Sequence, residues 1–145
     1  MLRKMLFTLV LALFLTGCAG AAPSEAGATE ITVKATDFGY SPSSITVAVG
    51  RPVTINLENE GAVEHDFVVD KISVKDVEAS ETSPAAHHQM EHDEATYDLH
   101  FYAKAGDSAT LQFTALEPGT YKIYCTIEGH EAAGMIGELI VVDQG

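Results

Sequence analysis

Period-two alternation, broken by turn residues, governs what this chain can fold into. Ile31, Val33 and Ala35 alternate with polar residues, as do Ile45, Val47 and Val49, then Val53, Ile55 and Leu57. Phe67 and Val69 continue the pattern. Leu111 and Phe113 follow, then Tyr121, Ile123 and Cys125, and last a mixed apolar run from Ile136 to Val142. Successive side chains of a strand point to opposite faces, so this is the pattern of strands with one buried face. Gly50-Arg51-Pro52, Asn59-Glu60-Gly61 and Glu117-Pro118-Gly119 supply turns between them. No segment shows a sustained helical period. The expectation is an all-β Greek-key sandwich of seven or eight short strands over residues 30–145, a length that suits one domain.

The rhythm fails between Lys71 and Tyr97, where Glu, Asp, Ser and Ala dominate and large apolar residues have no regular spacing. Residues 71–97 are read as a long acidic insertion loop, with room for a short helix around Pro84 to Glu94. Loops of this length in small domains are often functional. This one holds His87, His88, Met90 and His92, a candidate weak second site for copper or zinc. Their spacing matches no defined site, which favours a solvated loop whose histidines bind nothing. His100, in Leu99-His100-Phe101, falls on an expected strand and is read as structural.

The N-terminus is a targeting segment. Arg3 and Lys4 precede an apolar run from Met5 to Leu15, short for a membrane span and right for a signal sequence. It ends in Leu15-Thr16-Gly17-Cys18, an order that resembles a bacterial lipobox and sets residues 1–17 as a cleaved lipoprotein signal with Cys18 lipidated. Residues 18–29, rich in Ala, Gly, Pro, Ser and Thr, form a flexible tether. An ordinary cleaved signal and a retained anchor are the alternatives. Once Cys18 carries lipid, Cys125 has no partner in the chain, and an exported cysteine left over calls for an explanation.

A metal thiolate is such an explanation. The run from Tyr124 to Met135 places Cys125, His130 and Met135 on one glycine-bearing segment between two expected strands. Thiolate, imidazole and thioether make a soft donor set. One more imidazole would complete three strong donors and one weak one, an arrangement suited to a mononuclear copper site for electron transfer. His65, in Glu64-His65-Asp66-Phe67, is the natural supplier. Gly129 and Gly134 allow the tight turns that would aim His130 and Met135 inward. Taken singly, Cys125 and Met135 read as core fillers and the histidines as surface residues. The combination on one loop favours the metal.

These residues carry a resemblance to the cupredoxins, the type 1 blue-copper family. The segment from Phe38 to Val47 resembles the family's first loop and strand, Asn59 to Phe67 the segment with its first histidine, and Tyr124 to Met135 its ligand loop. The last is the most specific, and its Cys-to-His gap is similar to that of auracyanins and sulfocyanins rather than the shorter one of plastocyanins. The resemblance implies one type 1 copper ion held by His65, Cys125 and His130 as equatorial ligands and Met135 as the axial one. The residue after the first histidine is often Asn in this family, where it braces the ligand loop; here it is Asp66. The resemblance also implies an apolar docking patch around the second histidine, with Ala132, Ala133 and Gly134 beside it and Tyr40 and Pro42 close by.

The formal net charge is −13, and loss of residues 1–17 removes two basic residues and no acidic one, giving −15. Such a chain is a poor ligand for nucleic acid. It also repels anionic lipid headgroups, so membrane association falls to the anchor. The expectation is a monomeric, lipid-anchored electron carrier on the periplasmic or outer face of the membrane, exchanging electrons with a cytochrome, an oxidase or another membrane complex. A copper chaperone or buffer is the alternative. The binuclear copper site of oxidase subunits needs two loop cysteines and this loop has one, so an enzyme is not expected.

Overall fold

The structure, a computed structural model, describes residues 28–81 and 97–143. The signal at 1–17, Cys18, most of the tether, and His87, His88, Met90 and His92 lie outside the described residues. Ten strands form two five-stranded sheets. They are β1 (Thr29–Thr36), β2 (Gly39–Ser41), β3 (Ser44–Ala48), β4 (Pro52–Asn59), β5 (His65–Val69), β6 (Val74–Glu81), β7 (Leu99–Ala103), β8 (Ser108–Ala115), β9 (Gly119–Tyr124) and β10 (Ile136–Val142). One sheet runs β2-β1-β4-β8-β6 and the other β3-β10-β9-β5-β7. β1 with β4 and β3 with β10 pair parallel, and the other pairs are antiparallel. This is the all-β sandwich that the alternation implies.

The alternating residues face one another across the sandwich. Val33, Val53, Ile55, Leu57, Leu111 and Phe113 line one inner face, and Ile45, Phe67, Phe101, Ile123, Leu139 and Val141 the other, all buried. β5 departs from the half-buried pattern, because all five of its residues are buried. Its outer face is covered as well as its inner one, and that places Asp66 and Val68 out of solvent.

The strand count exceeds the expected seven or eight because of short or irregular elements such as β2 and β6. β6 corrects the reading of 71–97 as loop throughout. Residues 74–81 are an edge strand hydrogen-bonded to β8. Its register shifts between Lys75 and Glu78, and Asp76 takes a left-handed backbone (φ 54°). A bulge breaks period two, and an edge strand that is mostly solvated needs no apolar row; Val77 is exposed. The β5–β9–β10 neighbourhood positions the site: β9 delivers the chain to the segment 125–135, and β10 receives it.

Candidate metal centre

His65 opens β5 on the core-facing row that continues through Phe67 and Val69. Cys125 lies just past β9, on the inward row of Ile123. β5 and β9 are hydrogen-bonded neighbours with Val68 opposite Tyr124, so the two rows run side by side toward one end of the sandwich. The segment between β9 and β10 then folds back on itself. His130 N–H donates to Ile127 O (3.0 Å), Ala133 N–H to Gly129 O (2.9 Å), and Met135 N–H to His130 O (3.0 Å). Cys125 N–H donates to Met135 O (3.4 Å), which sets the two backbones together. Gly129 (φ 85°) and Gly134 (φ 106°) adopt the left-handed backbone that these turns require.

The outcome is a convergence of donors. One ligand atom each from His65, Cys125 and His130 lies within 4.8 Å of the others. The Cys125 Sγ is 3.5 Å from His130 Nδ1, and the two imidazole centroids are 5.0 Å apart. Met135 is fully buried. His65 is fully buried too, and neither of its ring nitrogens has a hydrogen-bond partner. An imidazole buried without partners costs on the order of 1–3 kcal/mol. A metal ion shared with Cys125 and His130 would satisfy it, so the donor set fits such an ion.

Burial first, and then a hydrogen bond to Asp66, pushes the Cys125 thiol up to about 12. Burial, and then electrostatic repulsion between the two imidazoles, holds the His65 imidazole below its ordinary value, against the opposing pull of Asp37 and Asp66. The metal-free site therefore holds a protonated thiol and a neutral imidazole at neutral pH. The imidazole is ready to ligate; the thiol must first lose its proton.

The family model for the cupredoxin-like domain matches residues 6–141. The chain belongs to the cupredoxin family. It is 33% identical over 114 residues to plastocyanin A/B of Petroselinum crispum, covering 77% of this chain and 98% of that one. It is 30% identical over 122 residues to the copper-resistant cuproprotein CopI of Rubrivivax gelatinosus, covering 82% and 71% respectively. Among solved structures, dithionite-reduced auracyanin of Roseiflexus castenholzii is similar with a TM-score of 0.60 and 23% identity, over 80% of this chain and 99% of that one, a likeness of fold.

In this cupredoxin Asp66 lies on the covered outer face of β5 and braces the start of the segment 125–135. Its Oδ1 accepts the Thr126 N–H (2.7 Å) and its Oδ2 the Thr126 hydroxyl. Burial alone would push the Asp66 carboxyl up. Hydrogen bonds from His100, the Cys125 thiol and Thr126 outweigh burial and hold it below the ordinary carboxylate range. The patch near His130 also differs from expectation. Tyr40 is buried, with its hydroxyl donating to Asp66 O, because its place on β2 turns it into the core. Phe38, exposed, meets the His130 ring edge-on with centroids 5.7 Å apart.

Three supporting residues escaped the sequence reading. Asn59 is buried, and its Nδ2 donates to Val63 O (2.7 Å) and Ala103 O (2.8 Å) while its Oδ1 accepts the Gly61 N–H (2.8 Å). It shapes the turn that leads into His65. Its signal was present: Asn59 continues the inward row of Val53, Ile55 and Leu57, and a polar residue on a core row needs partners. Asp37 accepts the Ala62 N–H (2.8 Å) and lies 4.0 Å from His65 Nε2. Gly61 lets the backbone pass against the imidazole, since a Cβ there would sit 2.5 Å from His65 Nε2. No local pattern could have announced those last two contacts.

Proposed function

We propose that this cupredoxin is a mononuclear copper electron carrier, with His65, Cys125 and His130 as strong donors and Met135 as the weak one. The observation that supports this most is the burial of an unpartnered His65 beside a protonated thiol and a second imidazole. A buried thioether at Met135 speaks for copper over zinc, whose sites use Cys, His and carboxylate donors. Copper bound there would supply a change of one electron between its two oxidation states, both acceptable to this donor set. The chain's own part is to hold the donors still. Asp66 ties down Thr126, Asn59 shapes the approach to His65, and the turns at Gly129 and Gly134 fix His130.

His130 is the donor that reaches the surface, with exposed Phe38 against its ring and exposed Ala132, Ala133 and Gly134 beside it in the chain. A redox protein docks on this apolar rim, and the formal charge of −13 steers a basic partner toward the molecule. The Leu15-Thr16-Gly17-Cys18 order supports a lipid anchor at Cys18 outside the cytoplasm. The protein is read as a carrier and not an enzyme, because the His65, Cys125 and His130 set serves one ion and the segment 125–135 carries a single cysteine, where a binuclear copper site needs two.

The likeness to CopI supports a second reading, an extracytoplasmic copper chaperone or buffer. Voltammetry with a competing chelator separates the two. A carrier shows one reversible one-electron wave and keeps its copper in both oxidation states, and Ala133→Glu slows exchange with a partner while leaving the colour. Rapid surrender of copper to the chelator in either state would favour the buffer, and unchanged exchange in the variant would move docking to another face.

A further inference from the structure

The Asp66 carboxylate poses a physical problem. It sits in a strand buried on both faces, and its side chain is 5% exposed. A carboxylate out of water is costly unless it is paired and hydrogen-bonded. Thr126 supplies two hydrogen bonds, one to each carboxylate oxygen. Among the described residues, the basic side chain within ion-pair reach of Asp66 is His100, whose Nε2 lies 3.4 Å from Oδ2. Lys122 is engaged by Glu131 (2.8 Å), and Lys71 by Asp98 (3.3 Å).

The register explains why His100 is in place. On β7 it faces Val68 of β5, and Val68 in turn faces Tyr124 of β9. Asp66 lies two residues before Val68, and Thr126 two after Tyr124, so all are on the outer side of these three strands. Tyr97 packs its ring edge-on against His100 (centroids 5.6 Å apart, 70°) and also meets Tyr124 (6.5 Å), which fixes the imidazole.

We propose that His100 is a positioning residue for the metal loop: it holds Asp66, Asp66 holds Thr126, and the three together set where Cys125 enters the segment 125–135. The proposal rests on the reading of Cys125 as a ligand, but the contact chain crosses β7, β5 and β9 whether or not a metal is bound. The role needs an N–H donor at the His100 Nε2 position, and it needs a carboxylate at 66. An amide at 66 is neutral and far less costly to bury, so the His100 donor matters because of the carboxylate.

The test uses the full-length, metal-free protein, so that failure of the copper reading leaves the result untouched. Iodoacetamide labelling of Cys125, followed by peptide mass so that Cys18 does not interfere, reads local opening of the loop entrance. His100→Leu should label about tenfold faster than the parent, the scale of losing a hydrogen bond to a charged group. His100→Gln, which keeps a donor, should stay within about twofold of the parent. In an Asp66→Asn background, adding His100→Leu should change labelling by less than about twofold, the mark of a coupled pair. Circular dichroism accompanies each variant. A His100→Leu protein that unfolds while Asp66→Asn/His100→Leu folds supports the proposal. Equal acceleration in both backgrounds, no acceleration, or unfolding of both leucine variants overturns it.

Discussion

At the scale of single residues, burial keeps the Cys125 thiol protonated and the His65 imidazole neutral until metal arrives. The thiol of Cys125, pushed up to about 12 by burial and then by the Asp66 hydrogen bond, keeps its proton at any physiological pH. The His65 imidazole, held low by burial, has none to lose at neutral pH. Binding of a thiolate-seeking ion must therefore release about one proton from the thiol. Copper titration of the metal-free protein in weak buffer at pH 8, with the released acid back-titrated, should give about one proton per ion bound, and Cys125→Ser should release none. Equal release from both proteins would mean that the thiol is not the ligand. The meeting of His65, Cys125 and His130 was legible from residue types, because a Cys and a His on one short segment, with a second His on another strand, suggest a shared ion. Asp37 and Gly61 were not legible, since their role is set by how close the turns after β1 and β4 come to His65 in space, where a Cβ on Gly61 would meet Nε2 at 2.5 Å.

At the scale of elements, each donor is aimed by a strand or by a turn that a strand end supports. Period two revealed most strands, because one face of each meets the core. It could not reveal β6, whose residues 75–80 are exposed and where a bulge at Asp76 breaks the alternation. It also misjudged Asn59 as turn chemistry alone. Asn59 closes β4 and fastens the turn after it both to itself and to β7, through Ala103 O. Asn59→Ala should strip partners from the Val63 and Ala103 carbonyls and the Gly61 amide, and lower stability by about 2–4 kcal/mol. Urea unfolding of the metal-free domain measures this. A loss below about 0.5 kcal/mol, the size of an ordinary surface change, would show that the turn holds without it.

At the scale of the whole molecule, the sandwich is a two-sheet frame in which His65, Asp66 and Asn59, three of the buried polar residues among those described, gather at the candidate metal centre. That makes acid stability readable. The His65 imidazole is depressed when folded, so the unfolded chain binds the extra proton. The resulting stability is fully present above the ordinary histidine value of about 6.5 and drains as pH falls below it. The Asp66 carboxyl is also depressed, and its contribution is present above about 3.9 and is lost as pH falls through its lower folded value. Thermal unfolding of the metal-free domain should show a first decline below about pH 6.5 and a further one below about pH 4. His65→Gln should abolish the first decline; its persistence would assign that decline to another group.

The central claim is that one ion sits between a sulfur on the β9 side and two imidazoles, one of them from β5. Titration of the metal-free protein with cupric ion, followed by visible absorption and paramagnetic resonance, tests it most directly. An intense thiolate-to-copper band should grow linearly, stop at one ion per chain, and be absent in Cys125→Ser. A colourless complex, or a band that survives the loss of Cys125, would contradict it.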